Sequence, residues 1–120
     1  MKPSRYTIGA RQGSTLRRRF VWTIDDDPVD LTGRTARMNV RPSAGSESLI
    51  LDVSDYITLG GDEGYIEIEV PASVMEAIPA KTYVYDLEIV NPNPGEDEVV
   101  ALLEGSFVVD GEVTRPEPAE

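Results

Sequence analysis

The chain has neither cysteine nor histidine among its 120 residues. Without cysteine there are no disulfides and no thiolate metal sites. Without histidine it lacks the side chain most used for general base work and zinc ligation near neutral pH. Long apolar runs are missing too, and none approaches the ~20 residues that span a bilayer. No apolar stretch follows Met1-Lys2-Pro3-Ser4-Arg5, so no secretory leader is expected. The chain therefore reads as soluble, without membrane contact, and made in a cytoplasm.

What is present is charge, and it is unevenly spread. Net charge is −11, yet residues 1–41 hold nine of the eleven basic residues against four acidic ones, a local +5. The remainder has Lys81 and Arg115 against eighteen carboxylates, a local −16. Opposite patches of this kind orient association between molecules. Strands from both parts of a sandwich can also lie side by side and cancel the asymmetry. Nucleic acid is not an expected partner, because a strongly acidic chain repels phosphate.

At this length one domain with one core is expected. Period-two alternation is clear in several places. Tyr6, Ile8 and Ala10 alternate with polar residues. Leu16 to Ile24 is a strand with Leu16, Arg18, Phe20, Trp22 and Ile24 on the inward face, Arg18 lying near its open end. Asp25-Asp26-Asp27-Pro28 is a turn, and Val29 to Gly33 carries the chain around a corner. Ala36, Met38 and Val40 point inward from the strand Arg34–Arg41, and Pro42 to Ser48 is a polar loop. Short strands follow at Leu49–Leu51 and Tyr56–Leu59.

Gly60-Gly61-Asp62-Glu63-Gly64 reads as a glycine-rich hairpin loop. In Tyr65–Val70 the residues Ile66, Ile68 and Val70 face in, and Glu67 and Glu69 face out for solubility. Pro71 starts, and Pro79 stops, a short strap helix near residues 72–78. Thr82–Val90 is the strongest strand, with Tyr83, Tyr85, Leu87 and Ile89 on one face. After a breaker-rich turn, Glu98–Val109 is its partner, with a bulge expected near Gly105. About seven strands and one strap helix predict an all-β, two-sheet antiparallel sandwich over residues 1–109. A small barrel is the competing architecture. Residues 110–120, rich in Pro and Glu, read as an extended C-terminal arm.

No catalytic, cofactor or metal site is predicted. Asp25, Asp26, Asp27 and Asp30 carry oxygen ligands for a hard cation, but their spacing is not that of an EF-hand, and an aspartate-rich turn is the simpler account. Glu67, Glu69, Asp86 and Glu88 fall on outer faces, where pKa shifts large enough for glycoside cleavage are not expected. Serine and threonine have no base to activate them. The interface candidates are Arg17, Arg18 and Arg19, Tyr65 as the one outward aromatic, and Arg115 in the arm. Three consecutive arginines also suit a solvated strand end that blocks aggregation.

An ordered series of short motifs adds a resemblance. It runs Gln12-Gly13-Ser14-Thr15, Pro28-Val29-Asp30-Leu31-Thr32-Gly33, Thr35-Ala36-Arg37-Met38 and Ile57-Thr58-Leu59-Gly60-Gly61. Tyr83-Val84-Tyr85-Asp86-Leu87-Glu88 and Leu102-Leu103-Glu104-Gly105-Ser106-Phe107 complete it. In this series the chain resembles small tailed-bacteriophage virion proteins with an immunoglobulin-like β-sandwich, and the N-terminal domain of upper baseplate proteins. The resemblance implies a non-enzymatic structural role in the tail or baseplate. It also implies a virion location, other virion proteins and copies of itself as partners, and a symmetric homo-oligomer. The chain stops just after the sandwich, whereas baseplate adaptors continue. Capsid decoration is thus a second expectation, and a carbohydrate- or receptor-binding sandwich a third.

Overall fold

In the computed structural model, which describes residues 3–114, the chain is an immunoglobulin-like β-sandwich. Its strands are β1 (Ser4–Arg5), β2 (Ile8–Arg11), β3 (Leu16–Val21), β4 (Thr23–Ile24), β5 (Asp27–Pro28) and β6 (Thr35–Arg41). They continue with β7 (Leu51–Asp52), β8 (Ile57–Leu59), β9 (Tyr65–Val70), β10 (Thr82–Asn91) and β11 (Glu98–Asp110). A helix, α1 (Ala72–Glu76), links β9 to β10. Among the described residues, seven strands have three or more residues and the other four are two-residue pieces.

One sheet runs β1-β11-β10-β6-β7, with β2 also on β11, and the other runs β3-β9-β8. These are the neighbour orders of the two immunoglobulin sheets, with the last, sixth and third long strands on one side and the second, fifth and fourth on the other. Both N-terminal strands pair parallel to β11, an exception within the expected antiparallel sandwich. The inward alternations of β6, β9 and β10 meet in one core with Phe107, Met75, Leu31 and Val53, each at most 1% exposed. No cysteine pair or buried tryptophan is needed to hold the layers. Met38 and Tyr85 are fully packed on the central strands instead.

Three local expectations change. The strand expected over Leu16–Ile24 ends at Val21, because the chain turns at Trp22 into the small β4–β5 hairpin, leaving Ile24 55% exposed. Tyr6 sits in the gap between β1 and β2 and is exposed, with its ring edge-on to Phe20 at 5.1 Å. The bulge in β11 falls at Leu102, since Leu87 faces Leu103 but Glu88 faces Ala101. Gly105 serves a different purpose. A Cβ there would lie 2.3 Å from the carbonyl oxygen of Tyr6, so glycine lets the N-terminal chain cross close to β11. Val90 is 9% exposed yet stays outside the core cluster, on the face that its alternation predicts.

Candidate interaction surfaces

The outer face of the smaller sheet is a ladder of opposite charges. The register sets Arg17 against Glu69, Arg19 against Glu67 and Val21 against Tyr65. Arg17 Nε lies 2.7 Å from Glu69 Oε1, and Arg19 Nη1 3.8 Å from Glu67 Oε2, all four side chains being about half exposed or more. Such pairs contribute roughly 0–1 kcal/mol each. Glu67 and Glu69 face outward as their alternation predicts, but as partners of arginines. Tyr65 shares that face. Its ring lies against Gly60, where a Cβ would come within 2.1 Å of it, and beneath the Arg19 guanidinium, 3.9 Å from the ring centre. The tyrosine is thus half-buried by its neighbours.

Arg18 points the other way, into the lateral opening between the sheets. Its Nη1 donates to the Arg17 carbonyl at 2.7 Å and its Nη2 donates to the Gly9 carbonyl of β2. One guanidinium therefore ties the free edge of each sheet to the other. Arg115 lies outside the described residues.

The uneven charge of the sequence is folded against itself. Arg5 pairs with Glu104 at 2.9 Å and Arg37 with Glu88 at 2.5 Å, alongside the two pairs above. Each of these four bridges joins the basic first third to the acidic remainder. The fold interleaves the two parts, as strands from both ends of a sandwich allow.

The outer face of the larger sheet carries a polar concavity that the alternation patterns do not announce. It is a shallow groove of about 500 Å³ whose floor includes Asp86, Glu88, Glu104, Asn39 and Arg41. In register, Asp86 lies between Glu104 on β11 and Asn39 on β6, so two carboxylates are direct cross-strand neighbours. Glu104 has Arg5 and Glu88 has Arg37. Arg41 is spent on the carbonyls of Ser46, Glu47 and Ser48, which it holds at 3.1–3.4 Å. Asp86, exposed yet partly desolvated by the groove walls, has its pKa raised by that desolvation and then by Glu88 and Glu104, against the pull of Arg37 and Arg41. The sequence places Asp86 and Glu88 outward but contains no signal for which residues of β11 and β6 stand beside them.

The aspartate-rich turn is explained by backbone geometry. Asp25 and Asp26, at φ 52° and 69°, are the two central residues of a two-residue hairpin loop between Ile24 and Asp27. Asp30 accepts the Thr32 amide at 2.9 Å, and hydrogen bonding by the Thr32 side chain and amide holds its pKa below the usual value. Among the described residues no group of three acidic side chains is arranged to hold a metal ion. No helix of the described residues is long and apolar enough to cross a membrane.

Comparison with solved structures gives the same architecture. The chain matches the N-terminal domain of phage TP901-1 ORF48 with a TM-score of 0.58 and 7% identity, covering 91% of this chain and 90% of that one. It also matches part of a family 123 glycoside hydrolase from Clostridium perfringens, at a TM-score of 0.50 and 16% identity, covering 92% of this chain but 23% of that one. At these identities the likeness establishes the fold. No protein-family model and no curated protein matches the chain.

Proposed function

We propose that this protein is a non-enzymatic structural component of a bacteriophage virion, associated with the tail or baseplate. One observation carries the reading: the sandwich corresponds over nine tenths of both chains to a domain of a phage protein. That correspondence joins a series of motifs which already resembles phage sandwiches. The surfaces agree with a scaffold. The outward carboxylates Glu67, Glu69, Glu88 and Glu104 are each paired with an arginine across neighbouring strands. Contacts with neighbouring virion proteins and with copies of itself would run through the groove around Asp86, the arginine flank of β3 and the arm of residues 110–120.

Quantitative mass spectrometry of density-gradient-purified particles tests the proposal. Several copies per particle are expected, and electron microscopy of particles carrying a tagged copy should show density on the tail. Density on the head would move the protein to capsid decoration. Absence from purified particles would overturn the structural role.

A further inference from the structure

The sandwich has open strand edges on both of its flanks. On one flank, among the described residues, β2 pairs with β11 alone and β3 with β9 alone, and Arg18 reaches from β3 to the Gly9 carbonyl of β2. On the other, β7 pairs with β6 alone and β8 with β9 alone, and the turn Ser54–Tyr56 joins them. Sheet proteins normally cover such edges or guard them with charge. Here the charge has opposite sign on the two flanks. The β2–β3 flank carries Arg11 and Arg18, and neither belongs to an ion pair among the described residues. The β7–β8 flank carries Glu47, Asp52 and Asp55, and none of these is paired with a cation there.

We propose that copies of this chain dock side by side, the β2–β3 flank of one against the β7–β8 flank of the next. Only this pairing brings opposite charges together. Two β3 edges would set arginine on arginine, and two β7–β8 flanks would set carboxylate on carboxylate, so each flank rejects its own kind. Each flank also exposes a large apolar group beside the charge. Tyr6, 42% exposed and edge-on to Phe20, lies on the first, and Leu49, 49% exposed and just ahead of β7, lies on the second. An apolar centre with a polar rim is the usual anatomy of a protein interface.

The topology sets the symmetry of the contact. Both β3 and β8 are antiparallel to β9, so they run the same way. A neighbour turned about an axis along the strands therefore presents its β3 in the direction of the β8 that it meets. The two contact surfaces differ, so every copy keeps one of each kind free. The contact then repeats, and it closes into a ring where the turn per copy divides the circle. This inference rests on the proposed virion role and deepens it, naming a second copy as the partner and the two surfaces that meet.

Cross-linking of the purified full chain tests this without reference to any particle. Absence of the protein from particles would overturn the virion role and leave the cross-linking result standing, and the reverse also holds. The cysteine-free background permits Gly9→Cys on one flank, where a Cβ meets open space, and Thr58→Cys on the other, exposed on β8. At about 1 mM, enough to half-fill a contact of millimolar Kd, a short bis-maleimide should join the double variant into a ladder of dimers, trimers and larger species. Each single variant should stay monomeric, and a mixture of the two should stop at dimers. Adding Glu47→Lys/Asp55→Lys to the double variant should cut the ladder about tenfold, since both flanks are then basic. A single variant that dimerises as well as the double variant ladders would assign the flank to a two-fold contact and overturn the proposal. No ladder, or a ladder unmoved by the charge reversal, would overturn it as well.

Discussion

The Tyr83 hydroxyl donates a 2.6 Å hydrogen bond to the carbonyl oxygen of Pro79, four residues back along the chain. It ties the start of β10 to the turn that follows α1, with the ring itself 3% exposed. The same tie, from a tyrosine near the start of the sixth strand to upstream backbone, marks immunoglobulin-like sandwiches generally. Here it does part of what a disulfide does elsewhere, because the chain has no cysteine. Tyr83→Phe deletes the donor and leaves the carbonyl without its partner. A loss of about 1–2 kcal/mol is expected. Urea denaturation should show it as a lower midpoint with an unchanged slope.

Tyr85 makes the equivalent tie to the N-terminal strands, its hydroxyl donating to the Tyr6 carbonyl at 2.7 Å. Burial, and secondarily Tyr6, pushes its pKa up to about 12 from the ordinary 10.0. Burial raises Tyr83 as well. The folded state thus keeps these protons after the unfolded chain has released them. The stability they contribute is fully present below pH 10 and falls as pH climbs from about 10 to 12. Thermal melts across that window should show the fall, and Tyr85→Phe, although less stable at pH 7, should show a shallower one.

Much of this was readable from periodicity. The inward faces of β6, β9 and β10 are those their alternation predicts, and Ala72–Glu76 forms a helix between Pro71 and Pro79 as those prolines require. What was not readable depends on residues far apart in sequence. Leu31 is 1% exposed because its amide bonds the Gly61 carbonyl and draws the corner inward, and nothing local in Asp30-Leu31-Thr32 announces that. Arg18 looks like an ordinary inward-phase misfit until β2 supplies the Gly9 carbonyl. The groove likewise exists only through registry, since Asp86, Glu104 and Asn39 come from three different strands.

Asp86 and Glu104 stand directly opposite each other with only Glu104 neutralised. Like charges in that relation cost about 0.2–1 kcal/mol. Asp86→Asn should therefore stabilise the isolated protein by about 0.5 kcal/mol at pH 7. The raised pKa of Asp86 gives the sign with pH: its folded form binds the proton more tightly, so the repulsion is present above that pKa and is relieved by acid. The gain of the variant over wild type should then shrink as pH is lowered toward 3. A variant that is more stable yet enters particles less well would show that the charge is kept for a partner.

Arg18→Leu keeps the bulk of the side chain but removes both donors that bridge β2 and β3. The Gly9 and Arg17 carbonyls sit at strand edges where water replaces part of the loss, so about 1 kcal/mol of destabilisation is expected. The larger effect should be on association, because a charged side chain at an open edge discourages strand-to-strand pairing. Light scattering during thermal unfolding should begin at a lower temperature than the stability change alone explains. Arg17→Leu, which leaves the lateral opening closed, should not show that excess.

The β4–β5 hairpin separates a geometric role for the aspartates from a chemical one. Its two loop residues, Asp25 and Asp26, both have positive φ, the conformation in which Asn followed by Gly is the most favourable pair. Aspartate tolerates that region, but glycine enters it without a Cβ penalty. Asp25→Asn/Asp26→Gly should raise stability by about 0.5–1 kcal/mol, with removal of two like charges from a crowded turn adding to the gain. If the turn held a cation, the double variant would lose a calcium-dependent rise in melting temperature. The expected result is the opposite: an equal rise in melting temperature for the variant with calcium or with a chelator present. Calcium then leaves both proteins unmoved, because the aspartates serve to turn the chain.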